Sequence, residues 1–317
     1  MLPDRILHPE EVIHIGFLAN FAANNPKHRQ NMKKTLFFLA ALLPLSLSAQ
    51  EESAWTHEGL TGINFSQTSF TNWSEGGENS MAGNVYFNGS LNYKEGKNAW
   101  DNNLSANYGM NYTDATDWRK NIDNLNLSSK FGRQITEKLY YAALFDFKTQ
   151  MANGYQYNDS TKEVISKFLT PGYLNLSVGL DYKPNEHISL YYSPVAGKMT
   201  LTNDTLFSTR YGVDAGQKTR FELGSSFKGT LNYSMLEDKL TLKSTLDLFT
   251  AYNESFGNVD VNWDVLVGLN VTSLLTVTFQ STLKYDDDIK YIDADGGVHG
   301  ARVQFKEILG VGLSYKF

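Results

Sequence analysis

The chain has 317 residues, a formal charge of −6, no cysteine, and an aromatic share of 13% that includes 18 Tyr and 19 Phe. A mean hydropathy of −0.36 excludes a helical membrane bundle but leaves room for a transmembrane barrel, in which only alternate residues meet lipid. Without cysteine there is no attachment through a lipidated Cys, and the acidic balance gives no electrostatic case for nucleic acid.

Residues 1–31 are polar and hold three of the six histidines. They precede the only long apolar block, Leu36–Leu47, which follows Lys33-Lys34 and ends at Ser48-Ala49-Gln50. An apolar run of that length behind two lysines predicts a secretory signal peptide, since a spanning helix needs about 20 residues. The expected organisation is a disordered upstream extension over 1–31, a signal peptide over 32–49 that starts at Met32, and a mature domain over 50–317. Cleavage after Ala49 removes five basic and three acidic side chains, which leaves a charge of −8.

Alternation of apolar and polar residues, the period of a strand with one greasy face, then recurs along the mature chain. It predicts strands over 61–71, 81–93, 100–112, 120–133, 138–151, 173–183, 187–196, 219–233, 239–252, 259–271 and 275–285, and a last one that ends at Phe317. Outward residues include Ile63 and Phe65 in the first strand and Leu246 and Leu248 in the ninth. Val261, Trp263, Val265 and Val267 face outward in the tenth. The fourth strand alternates worst. In the last, Leu309, Val311, Leu313, Tyr315 and Phe317 share one parity.

Connections alternate between short ones, such as 94–99, 134–137 and 184–186, and long ones, such as 152–172, 197–218 and 286–302. The pattern predicts an all-β, membrane-spanning, antiparallel up-and-down β-barrel of about twelve strands, with both termini at the short-turn, periplasmic rim. Tyr93, Trp100, Tyr182, Tyr233 and Tyr315 are expected as an aromatic girdle at that rim, and Tyr112, Tyr252 and Tyr285 at the other.

The opposite parity is polar and rich in Asn, including Asn64, Asn84, Asn103 and Asn107. Its charges make Asp146, Lys148, Arg220, Glu222, Lys228, Lys243, Asp247 and Asp264 the candidate lumen-lining residues. They either line a hydrated path for small polar or amphipathic solutes or pair across a sealed interior. Mixed signs argue against strong ion selectivity.

No catalytic constellation, cofactor motif or metal spacing is complete. His57 is expected before the first strand, His187 in a periplasmic turn and His299 in an outer loop, so an outer-membrane hydrolase is the weakest reading and the protein is read as no enzyme. Asp293-Ala294-Asp295-Gly296-Gly297 carries only the start of a calcium-loop pattern and reads as a solvated acidic loop.

The last strand, which ends on an aromatic, resembles those of bacterial outer-membrane barrels. The resemblance implies that Tyr315 and Phe317 serve as an insertion signal for the barrel-assembly machinery, with outer-membrane lipid and lipopolysaccharide as surroundings. The first hairpin carries Asn64-Phe65-Ser66-Gln67-Thr68-Ser69-Phe70-Thr71-Asn72-Trp73 followed by Glu75-Gly76-Gly77-Glu78-Asn79-Ser80. With Gly96-Lys97, Trp100-Asp101-Asn102 and Lys148-Thr149-Gln150, it resembles an uncharacterised family of Bacteroidota barrels, a domain of unknown function. The resemblance implies location but no activity. Gly76-Gly77 is expected to make a tight outer turn and Trp73 to anchor it.

Overall fold

The computed structural model describes residues 54–69, 78–157, 161–237, 239–252, 256–292 and 297–317. The expectations for residues 1–49, for the turn around Trp73 and Gly76-Gly77, and for Asp293 to Gly296 lie outside these residues.

The strands in chain order are β1 (Trp55–Thr68), β2 (Ser80–Glu95), β3 (Asn98–Thr113), β4 (Arg119–Gln134), β5 (Leu139–Thr149), β6 (Gly154–Tyr157), β7 (Lys162–Ser166) and β8 (Gly172–Asn185). They continue as β9 (Ile188–Leu201), β10 (Thr219–Met235), β11 (Leu240–Ala251), β12 (Asp260–Asn270), β13 (Leu275–Tyr285), β14 (Lys290–Ile292), β15 (Val298–Ala301) and β16 (Gln304–Lys316). Twelve of them close a single antiparallel barrel in the order β1-β2-β3-β4-β5-β8-β9-β10-β11-β12-β13-β16. The β6–β7 and β14–β15 hairpins sit within the two longest connections of one rim. Closure removes every free sheet edge, which an open sheet of this length would expose.

The wall is greasy outside. Large exposed apolar residues lie on every barrel strand except β11, among them Ile63, Phe65, Leu176, Val178, Phe221, Trp263, Leu309 and Leu313. On β11 the outward Leu242, Leu246 and Leu248 are half-covered by their neighbours. Polar groups on this face are mostly satisfied within it, as hydrocarbon would demand. The Trp100 indole donates to Ser129 Oγ at 2.8 Å, and the Trp263 indole donates to Ser244 Oγ at 2.9 Å.

Aromatic rings gather at both rims. Trp55 joins Tyr93 and Trp100 with centroids 5.0 and 5.8 Å apart, while Tyr112 meets Trp118 and Tyr252 meets Phe256 at the far rim.

Two parity resets explain where alternation fails. On β4 one extra residue, Asn121, is squeezed between Ile122, paired with Gly109, and Lys120, paired with Met110. Below this bulge Leu125, Leu127 and Phe131 share the outward parity, and Ile122 turns inward and is buried. On β9 Leu190 and Tyr192 are exposed, and after Pro194 the exposed parity changes to Val195. The Ser193 hydroxyl donates to Val178 O at 2.7 Å and accepts from the Val195 N–H at 3.2 Å, which holds the bulge. The strand therefore runs to Leu201, five residues beyond its expected end.

The first strand also departs from expectation. It begins at Trp55 rather than 61, so His57 is an exposed strand residue opposite Leu91 and not part of a leader segment. The extra residues earn their place in the closing seam. Gly59 and Phe317 exchange both backbone hydrogen bonds, at 2.7 and 2.9 Å. The Phe317 ring lies over Gly59 so closely that a Cβ there would come within 2.1 Å of it, and Phe87 and Tyr315 flank the ring. This seam is short, with Leu60–Asn64 paired to Gly312–Lys316, whereas β1 pairs with β2 along its whole length. Gly59→Leu is therefore expected to displace Phe317 and to lower the folded, heat-modifiable fraction on gels at least as much as deletion of Phe317 does.

At the rim that carries the Gly59–Phe317 end of the seam, turns are tight. Gly96-Lys97 alone joins β2 to β3, and Gly96 adopts φ +54°, a left-handed conformation that costs glycine little.

Candidate functional site: a bridged lumen

The inward parity carries three sets of polar bridges, and all three reach between strands that are not neighbours in the wall. In the first, the Asn64 amide donates to Asn84 Oδ1 at 3.1 Å and approaches Thr278 Oγ1 at 3.4 Å, passing over Gly310 and Gly312. Asn84 donates to Asn107 Oδ1 at 2.9 Å, and Asn107 donates to Gln280 Oε1 at 3.1 Å. The belt thus runs from β3 to β13 beneath β2, β1 and β16. Two carboxamides span that sector only if the wall is drawn in there.

The second set is ionic. Lys148 on β5 pairs with Asp247 on β11 at 2.6 Å, and Lys228 on β10 pairs with Asp146 on β5 at 2.8 Å and with Asp247 at 3.3 Å. This chord cuts off the sector of β8, β9 and β10, which is packed with side chains. Leu144 and Ala142 contact Tyr191, which is fully buried and donates to Ser177 Oγ at 3.0 Å. Phe249 packs with Ala196 and Ala251 nearby.

The third set closes toward the rims. At the short-turn end Lys130 pairs with Asp181 at 2.8 Å and Lys183 pairs with Asp101 at 2.6 Å. At the long-loop end Lys198 joins Asp260 at 2.5 Å and Asp286 at 3.2 Å, and Arg220 joins Glu222 at 2.9 Å and Asp288 at 2.8 Å. Arg220 also donates to Gly212 O at 3.0 Å, so two long connections are tied to the mouth of the barrel. A further clasp, between the β7–β8 and β9–β10 connections, joins Lys167 and Asp204 at 2.6 Å. The Lys167 ammonium and the Leu206 N–H hold the Asp204 carboxyl below the usual carboxylate range. This clasp is fully present above that range and is lost only as pH falls below it, through the depressed pKa of Asp204.

Of the eight candidate residues, Asp146, Lys148, Lys228 and Asp247 form the mid-barrel chord, and Arg220 and Glu222 sit at the mouth. Asp264 accepts from Thr282 Oγ1 at 2.7 Å and from the Asn262 amide at 2.8 Å. Lys243 makes no ion pair among the described residues. Lys198, Asp101, Lys183 and Lys306 were not among the sequence candidates. Lys198 was hidden by the parity reset at Pro194, whereas counting back by twos from the last strand would have placed Lys306 inside.

Between the belt and the chord remains a slot, walled by β3, β4 and β5 on one side and β11, β12 and β13 on the other. Inward-facing Asn103 and Lys284 are solvent-exposed within it, and, beyond Gly268 and its two chain neighbours, no atom lies within 4 Å of where a Cβ of Gly268 would stand.

Residues 65–155, under a third of the chain, match the profile of a family described as a protein of unknown function, DUF3078. No curated protein matches the sequence. Solved structures with a similar course include the COG4313 outer membrane channel from Pseudomonas putida F1, at 11% identity and a TM-score of 0.39 over 87% of this chain and 100% of that one. The NanC porin aligns at 9% identity and a TM-score of 0.38 over 81% and 98% of the two chains. The translocator domain of the autotransporter NalP from Neisseria meningitidis aligns at 10% and 0.35 over 92% and 96%. These likenesses are too distant to carry function.

Proposed function

We propose that the chain is an integral outer-membrane barrel whose slot passes small polar solutes, with no catalytic role. The carrying observation is the water-accessible strip at Asn103, Gly268 and Lys284, which lies inside a closed wall whose outside is apolar. A wall of this kind needs hydrocarbon around it, because exposed apolar area on eleven strands far exceeds what a soluble monomer leaves open. Short turns mark the periplasmic rim, and insertion through the assembly machinery would read Tyr315 and Phe317. The resemblance to Bacteroidota barrels fits the same setting.

The second reading is a sealed structural or partner-binding barrel, favoured by the chord from β5 to β11, which blocks part of the bore. Planar-bilayer recording of the refolded full chain separates the two. Discrete conductance steps whose size changes in Lys243→Gln are the expected result. A silent bilayer with protein shown to be inserted contradicts the pore and leaves the sealed barrel.

A further inference from the structure

The lumen charges are mixed in sign along the sequence but sorted in space. Each inward acid of the mid-barrel chord and of the short-turn cluster has its own lysine at 2.6–2.8 Å, whereas at the long-loop rim Lys198 and Arg220 share four acids, Glu222, Asp260, Asp286 and Asp288. Away from the short-turn rim, where Lys94 and Lys316 end their strands, three inward lysines have no ion pair among the described residues: Lys243 on β11, Lys284 on β13 and Lys306 on β16. Lys306 sits opposite Thr282, in register with Asp264 and one step from Lys284. Lys284 feels Lys148 and Lys306 beside Asp264, and Lys243 lies lower, near Glu58 and Lys316. Asp264 is the one mid-wall acid of this side without an ion pair among the described residues. It is held by Thr282 and Asn262, so one carboxylate faces several ammonium groups. Facing this wall, β3 and β4 offer neutral amides and hydroxyls such as Asn103, Asn126 and Ser128.

We infer that the slot selects small anions, carboxylates or phosphate esters, which Lys284 and Lys306 receive below the acid-rich long-loop mouth and Lys243 receives nearer the short-turn rim. The inference rests on the pore reading. A low-dielectric wall focuses the field of unpaired charge into the slot, and a row of separated sites holds an ion weakly enough to release it. Mixed composition therefore does not make the path indifferent to sign.

Reversal potentials in a KCl gradient across a planar bilayer test this with the full chain. The expected wild-type result is a chloride-over-potassium preference. In the combined Lys243→Gln, Lys284→Gln and Lys306→Gln variant that preference falls by about twofold or more. Asp264→Asn, which removes the opposing charge, is expected to raise the preference, and it keeps the test open if the triple variant folds poorly. Citrate added on the outer side is expected to reduce the chloride current of the wild type more than that of the triple variant. A potassium-preferring wild type, or a preference untouched by all these substitutions, overturns the inference while leaving a pore in place. Absence of any conductance steps removes the pore itself, and the anion path with it.

Discussion

Leu246→Arg is expected to destabilise the folded barrel by about 2–4 kcal/mol in bilayers. Leu246 faces outward midway along β11, opposite Gly229 on one side and Trp263 on the other. A guanidinium there lies among acyl chains, far from either aromatic rim, and the outer faces of the adjoining β10 and β12 offer it no carboxylate. The cost comes from dehydrating the charge, so it depends on depth and fades toward the rims. Urea unfolding in lipid vesicles reads it directly. An unchanged midpoint, with unchanged gel mobility before and after heating, would contradict a lipid-facing position for Leu246.

Asp247→Ala acts on the other face of the same strand. The Asp247 carboxylate lies 2.6 Å from Lys148 and 3.3 Å from Lys228, and both ammonium groups are mostly enclosed. Removing it leaves Lys148 without its ion pair and Lys228 with Asp146 alone. The expected loss is about 3 kcal/mol, the lower end for breaking a buried pair, because the slot beside it is hydrated. Replacing both members, Lys148→Met with Asp247→Met, is expected to recover part of the loss, since no unpaired charge then remains. If the single substitution leaves unfolding unchanged and the double is additive with Lys148→Met alone, the chord is not a cross-barrel tie.

The strand count, the direction of each outward stripe and the asymmetry of connections were all legible, because a half-greasy strand prints period two on the sequence. The stripe Val261, Trp263, Val265 and Val267 needed only counting. What stayed hidden has two physical sources. A single bulge residue inverts parity for everything after it, so β9 seemed to end at 196 and Lys198 was counted in a loop. Pairing across the lumen, in turn, joins residues about 100 positions apart, such as Lys148 and Asp247, and no local pattern carries that. The inward parity showed charges of mixed sign, and only geometry separates the neutralised lysines from Lys243, Lys284 and Lys306. The early start of β1 was missed for a related reason. Thr56, Glu58 and Gly59 alternate poorly, because Gly59 leaves its space to the ring of Phe317.

Contact between the outer wall and hydrocarbon is tested most directly by fluorescence of Trp263 as the sole tryptophan, with Trp55, Trp73, Trp100 and Trp118 replaced by Phe. In vesicles carrying lipids brominated along their acyl chains, the folded protein is predicted to show blue-shifted Trp263 emission that the bromines quench strongly. Emission from Trp263 that bromine leaves untouched and aqueous iodide quenches, in a protein that stays folded and monomeric in detergent-free buffer, would contradict it.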